Sequence, residues 1–146
     1  MVTIAGCGTR GDGEAASQRF ELGELHGVDV GGVFVLQAQR SSDRLVELQG
    51  DANLLPLVEL DVQGGVLRAR TRTSTFPQLP MVLVVHTPEL REVELSGAAR
   101  GEIAGLSGES FALGVSGASE ARVAGEVVRF TLDVSGASQV EAAGLV

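Results

Sequence analysis

The chain has no lysine, no tryptophan and no tyrosine, and it holds one cysteine, two histidines and five phenylalanines in 146 residues. Each shortage closes a class of function. The single thiol, Cys7, forbids an internal disulfide. One cysteine and two scattered histidines, His26 and His86, do not supply the ligand spacing of a zinc site. Eleven arginines against nineteen acidic side chains leave a net charge of −8. Phosphate recognition needs basic clusters, so nucleic acid is not an expected partner. Without tryptophan or tyrosine there is no stacking platform for sugars. No apolar run approaches the roughly 18 residues of a membrane-spanning helix. No glycine-rich loop opens a helix to cradle a phosphate, and no cofactor is implied.

What remains is rich in valine, leucine, alanine and glycine, with 20 glycines and 44% hydrophobic residues. The length corresponds to one domain with enough apolar material for a core. Small and β-branched residues punctuated by glycine suit many short strands joined by tight corners. One motif recurs three times, as Ser96-Gly97-Ala98-Ala99, Ser116-Gly117-Ala118-Ser119 and Ser135-Gly136-Ala137-Ser138, at spacings of 20 and 19 residues. Nine residues after each serine comes the glycine of an Ala-Gly pair, Gly105, Gly125 and Gly144. A fixed period of about 20 residues predicts stacked repeats, and the absence of helical patterning predicts a β-solenoid with one repeat per coil. The repeats span about 88–107, 108–126 and 127–146.

Alternation with period 2 predicts the inward rows. Val93/Leu95, Phe111/Leu113/Val115 and Phe130/Leu132/Val134 precede the three corners, and Gly101/Ile103, Ala121/Val123 and Val140/Ala142 follow them. Between these lie outward charges, Arg100 and Glu102, Glu120 and Arg122, then Glu141. In a register that superposes the repeats, opposite charges meet about 4.8 Å apart, each such pair contributing about 0.2–1 kcal/mol. This cross-coil ladder is expected to set register rather than to bind a ligand. The serines Ser96, Ser116 and Ser135 are expected to stack and bond the corner backbone. Gly97, Gly117 and Gly136 are expected to supply a positive φ. Three equivalent serines, none beside a histidine, do not make a nucleophilic site.

Upstream, Val58–Val62 and Val66–Arg70 flank Gln63-Gly64-Gly65 and predict a β-hairpin. Asn53–Val58 is the one stretch where a helical turn is expected, and Met81–His86 reads as a strand buried on both faces. The start has a different character. Thr3-Ile4-Ala5-Gly6-Cys7 looks like a bacterial lipoprotein box, with Cys7 as the lipidation candidate, although the six preceding residues lack the basic and apolar regions of an intact signal peptide. Residues 1–18 are therefore expected to form a flexible tether, and 19–146 a single solenoid domain. The tripeptide Arg10-Gly11-Asp12 within that tether is short enough to arise by chance.

Taken in order, Phe20…Val28-x-Val30…Val33-Phe34-Val35, Gly50-Asp51-x-Asn53-Leu54-Leu55, Gly64-Gly65-Val66-Leu67, Pro88-x-Leu90 and the repeated Leu/Val-Ser-Gly-Ala-Ser make a set that resembles the head GIN domain family. That is a family of putative auto-transporter adhesins of the bacterial cell envelope. The resemblance runs from Phe20 to Val146, although the Gly-Ile-Asn tripeptide behind the family name is absent. It implies a right-handed parallel β-helix without an active site, a role in adhesion or envelope scaffolding, and a lipid-anchored location. The expected partner is a protein or a cell-surface ligand, with a membrane contacted only through the lipid. The last repeat stops at Gly144-Leu145-Val146, where members of the family usually continue with further coils, so either the chain is truncated or its uncapped end is expected to pair with another copy. The rival reading is a carbohydrate-active enzyme, a lyase or glycosidase or its degenerate descendant. It needs acids facing one another across a cleft, whereas Glu92, Glu94, Glu102 and Asp133 fall on isolated outward positions.

Overall fold

A computed structural model describes residues 9–21, 23–72 and 75–145. Fifteen strands account for most of them. The first are β1 (Thr9–Arg10), β2 (Ala15–Phe20), β3 (Gly27–Gly32), β4 (Phe34–Arg40) and β5 (Leu45–Asp51). A 3-10 turn at Leu55–Leu57 leads into β6 (Val58–Gln63) and β7 (Val66–Thr71). Next come β8 (Thr75–Phe76) and β9 (Met81–Thr87). The repeats supply β10 (Glu92–Gly97), β11 (Arg100–Leu106), β12 (Ser110–Val115), β13 (Glu120–Gly125), β14 (Arg129–Val134) and β15 (Gln139–Leu145).

Two large sheets result. The six-stranded sheet runs β14-β12-β10-β3-β7-β6, and the seven-stranded sheet runs β15-β13-β11-β4-β9-β5-β2. Their inner faces share one hydrophobic core, from Val28 and Val30 through Leu36, Leu67, Leu83 and Leu95 to Phe111, Leu113 and Val123. The smaller β1–β8 pair is parallel and separate. Within the repeats the pairing is parallel and superposes equivalent residues, Val93 with Leu113 and Phe111 with Phe130. The β6–β7 hairpin is antiparallel, Val62 opposite Leu67 around Gly64 and Gly65.

This architecture corrects the expected right-handed parallel β-helix. The sheets are mixed, of six and seven strands, and pack face to face as a sandwich. Strands β6, β5 and β2 run antiparallel to their neighbours. Chain order is also broken, because β3 and β4 are inserted between β7/β9 on one side and β10/β11 on the other. The reason is physical. A period of 2 specifies which residues face the core, but a parallel neighbour can come from anywhere in the chain. The 20-residue repeat begins only after Pro88, so it carried no information on how residues 20–87 are threaded.

Two further expectations change. Residues 9–18 are not a tether. Strand β2 pairs antiparallel with β5, Ala15 opposite Asp51 and Phe20 opposite Val46. The segment before it is held by side chains: Asp12 N–H donates to Asn53 Oδ1 at 2.9 Å and Gly13 N–H to Asp51 Oδ1 at 2.8 Å. Strand β9 is buried on one face only; Met81, Leu83 and Val85 point inward, while Val82, Val84 and His86 are half-buried outside.

Candidate functional site at the open edge

The corners between the two sheets are built from the repeated motif. Gly97, Gly117 and Gly136 have φ of 74°, 73° and 72°, a region that side chains with a Cβ avoid. The corners lie on one another closely. Ala118 N–H donates to Gly97 O at 2.8 Å and Ala137 N–H to Gly117 O at 2.9 Å. A Cβ on Gly117 would sit 2.5 Å from Gly97 O. Glycine is therefore required here twice, by the backbone angle and by the contact. Sequence reading missed a fourth corner. Gly32, with φ 109°, lies beside Gly97, and Gly31 lies beside Ser96. The signal was Val30-Gly31-Gly32, a variant of the motif without its serine.

Among the corner serines, Ser96 Oγ donates to Val30 O at 3.4 Å, while the backbone N–H groups of Ser116 and Ser135 donate to Leu95 and Val115 O, both at 2.9 Å. The fully buried hydroxyl is a different one. Ser119, at the last motif position, accepts from Ala99 N–H at 3.3 Å. These contacts hold corners together and leave no serine beside a base.

On the outer face of the seven-stranded sheet, Arg100 stands opposite Glu120, Glu102 opposite Arg122, and Arg122 opposite Glu141. Arg100 Nε lies 3.4 Å from Glu120 and Arg122 Nε 3.3 Å from Glu141, all four side chains being solvent-exposed. Exposed pairs of this kind contribute about 0.2–1 kcal/mol at most. On the other sheet, Glu94, Gly114 and Asp133 share one outward row with Asp29, which is bound by Arg70 at 3.0 Å. Asp29, Glu94 and Asp133 are therefore not isolated: with Arg70 and Ser96, Ser116 and Ser135 they line a concavity of about 190 Å³ on that face. His26 Nε2 is 2.7 Å from Gly64 O, and among the described residues no cluster of three or more His, Cys, Asp or Glu is arranged to hold a metal. Cys7 lies outside the described residues.

The feature that stands apart is the last pair of strands. Strands β14 and β15 are the last described strands at one end of the two sheets and are joined by one corner. In β12 the inward residues Phe111, Leu113 and Val115 are buried, at 2% exposure or less. Their register partners in β14 are Phe130, Leu132 and Val134. Phe130 is half-buried against Phe111, their rings 6.3 Å apart, while Leu132 is 46% and Val134 42% exposed. Val128, just before the strand, is 87% exposed. The inward row expected from the sequence is present, but in its third copy it faces water.

Comparison with known proteins gives this end a context. Residues 24–146 match the family model described as "Putative auto-transporter adhesin, head GIN domain". No curated protein matches the chain. Solved structures with the same fold include a putative adhesin from Parabacteroides distasonis, with a TM-score of 0.78 at 21% identity over 90% of this chain. Another is a putative adhesin from Parabacteroides merdae, with a TM-score of 0.77 at 21% identity, again over 90% of this chain. The chain spans 58% and 57% of the lengths of these two proteins. A putative lipid binding protein from Parabacteroides distasonis aligns over 93% of this chain and 76% of its own length, with a TM-score of 0.59 at 15% identity.

Proposed function

Because the chain belongs to the family of putative auto-transporter adhesins with a head GIN domain, we propose that it is a non-enzymatic adhesion or scaffolding domain of the bacterial cell envelope. The observation that carries this reading is the family match over residues 24–146, together with the same fold in two putative adhesins of known structure.

The test is retention of envelope fragments, from the bacterium that carries the protein, on a layer of the immobilised chain. An unrelated acidic β-sandwich protein of similar size, immobilised at the same density, should retain at least about tenfold fewer fragments. Circular dichroism verifies that the immobilised chain is folded. Retention no greater than that of the unrelated protein would overturn the adhesive reading.

A further inference from the structure

We propose that the outer face of the six-stranded sheet holds a trough along β12 that takes an extended basic segment of a protein partner, with a lysine or arginine side chain seated between Glu94 and Asp133. This deepens the adhesive reading above, on which it rests, by naming the chemistry of what is bound.

The two sheets use their outward charges differently. On the seven-stranded sheet the repeat positions alternate in sign, so each acid faces an arginine: Glu120 faces Arg100, and Glu102 and Glu141 both face Arg122. The corresponding row on the six-stranded sheet reads Glu94, Gly114, Asp133. Pairing between neighbouring strands explains the first ladder. It does not explain the second, where acid, glycine and acid follow one another. Asp29, next along that row, is held by Arg70 at 3.0 Å. Elsewhere Glu47, Glu59, Glu120 and Glu141 each have an arginine at 3.0–3.4 Å. Among the described residues none of the ion pairs involves Glu92, Glu94 or Asp133.

Shape adds to charge. Glu94 and Asp133 stand two strand spacings apart, about 9.6 Å, on either side of Gly114. Gly114 brings no side chain to the floor, and Glu94 leans over it, its Cγ 3.2 Å from where a Cβ would sit. At the corner end, the hydroxyls of Ser116 and Ser135 line the concavity of about 190 Å³ that also holds the Asp29–Arg70 pair. Glu94, Gly114 and Asp133 are shared with a second concavity of about 360 Å³, which continues past Glu92 and Thr131. The floor is β12, paired on both sides, and the walls are β10 and β14, so the trough is the same whatever stands beyond β14.

The occupant follows from sign and pitch. Glu92 and Glu94 are two residues apart on one strand, a distance of about 6.6 Å. Same-face side chains of an extended peptide recur at that same interval. A segment lying along β12 with cationic residues at alternate positions therefore sets one ammonium or guanidinium between Glu94 and Asp133 and the next beside Glu92. Ionised carboxylates only accept hydrogen bonds, and their bonds to charged N–H donors are the strong ones. Anionic chains are repelled by the same acids and by the net charge of −8.

The experiment is fluorescence anisotropy of a labelled peptide of four Lys-Thr repeats, titrated with the full 146-residue chain at low and at physiological salt. Saturable binding is expected, weaker at the higher salt. The double variant E94Q/D133N should weaken it about tenfold. E102Q/E120Q, the same loss of charge on the other sheet, should leave it within about twofold. The same peptide with acetylated lysines should not bind. Absence of saturable binding overturns the proposal. So does an equal loss in the two double variants, which assigns the attraction to net charge alone. Displacement of the peptide by an equal concentration of spermidine assigns the trough to small polyamines and overturns the extended segment. A chain that binds no peptide yet still retains envelope fragments overturns the trough alone and leaves the adhesive reading standing.

Discussion

The two ends of the sandwich treat the same strand pattern in opposite ways. At one end the stack of parallel strands is closed by antiparallel ones, β6 on β7 in one sheet, and β5 and β2 beyond β9 in the other. A 3-10 turn places Leu54 and Leu55 over the core there, and the fully buried Asp51 gathers backbone N–H groups from Gly13, Gln78 and Leu79 at 2.8, 3.1 and 3.2 Å. At the other end β14 and β15 are the last described strands of their sheets, and the inward row of β14 is exposed. Alternation therefore supplies the means to build a core without saying whether the core is covered. Cover comes from the neighbour.

The sharpest way to break this contrast is at the closed end. Asp51→Ala leaves three part-buried backbone donors unmatched and should cost about 2 kcal/mol. Urea unfolding at neutral pH measures it, and a midpoint equal to that of the unaltered chain would show that the carboxylate is not the clasp. The second test compares register partners. Leu113→Ala removes a buried side chain and should cost about 3 kcal/mol, whereas Leu132→Ala, in dilute solution, should cost less than about 1 kcal/mol. Equal losses would mean that the open end is covered in solution.

The smallest effect concerns β5. The Glu47 carboxyl is held below the usual carboxylate range, first by the Gln49 side chain, which donates to it at 2.6 Å, and then by Arg19 at 3.1 Å, against a small opposing cost of burial. A carboxyl whose folded value is depressed stabilises the fold above its unfolded value, and that contribution is lost as pH falls through the folded one. Gln49→Ala should raise the Glu47 midpoint in an NMR titration and narrow the acidic window in which stability is lost. An unmoved midpoint would assign the shift to Arg19 alone.

Much of the second half was legible in the sequence. The strands before and after each Ser-Gly corner, their inward rows and the Arg100/Glu120 and Arg122/Glu141 register all follow from local alternation and a fixed period, since equivalent residues in successive repeats are near in both chain and space. The first half was not. Gly31-Gly32 marks a corner of the same stack, but without the serine it did not match the motif, and Asp51 looked like one more acid after a strand. Its role depends on Gly13 and Gln78, which lie 38 and 27 residues away in the chain. Ser96 bonds the corner backbone as expected, through Val30 O, while the fully buried serine of the motif, Ser119, was not singled out.

The sequence by itself determined that the chain is all β, where its corners fall, which side chains can enter a core, and which family it joins. These are properties of short stretches, set by backbone angles, the two-residue repeat of a strand and the volume of a Cβ. Only the tertiary structure decided that the strands form two mixed sheets rather than a helix of coils, that Ala15–Phe20 pair with β5, and that Leu132 and Val134 are exposed where Leu113 and Val115 are core. Those outcomes depend on which strand lies next to which. A strand offers hydrogen bonds on both sides to any neighbour, so only the packing of the whole chain selects one.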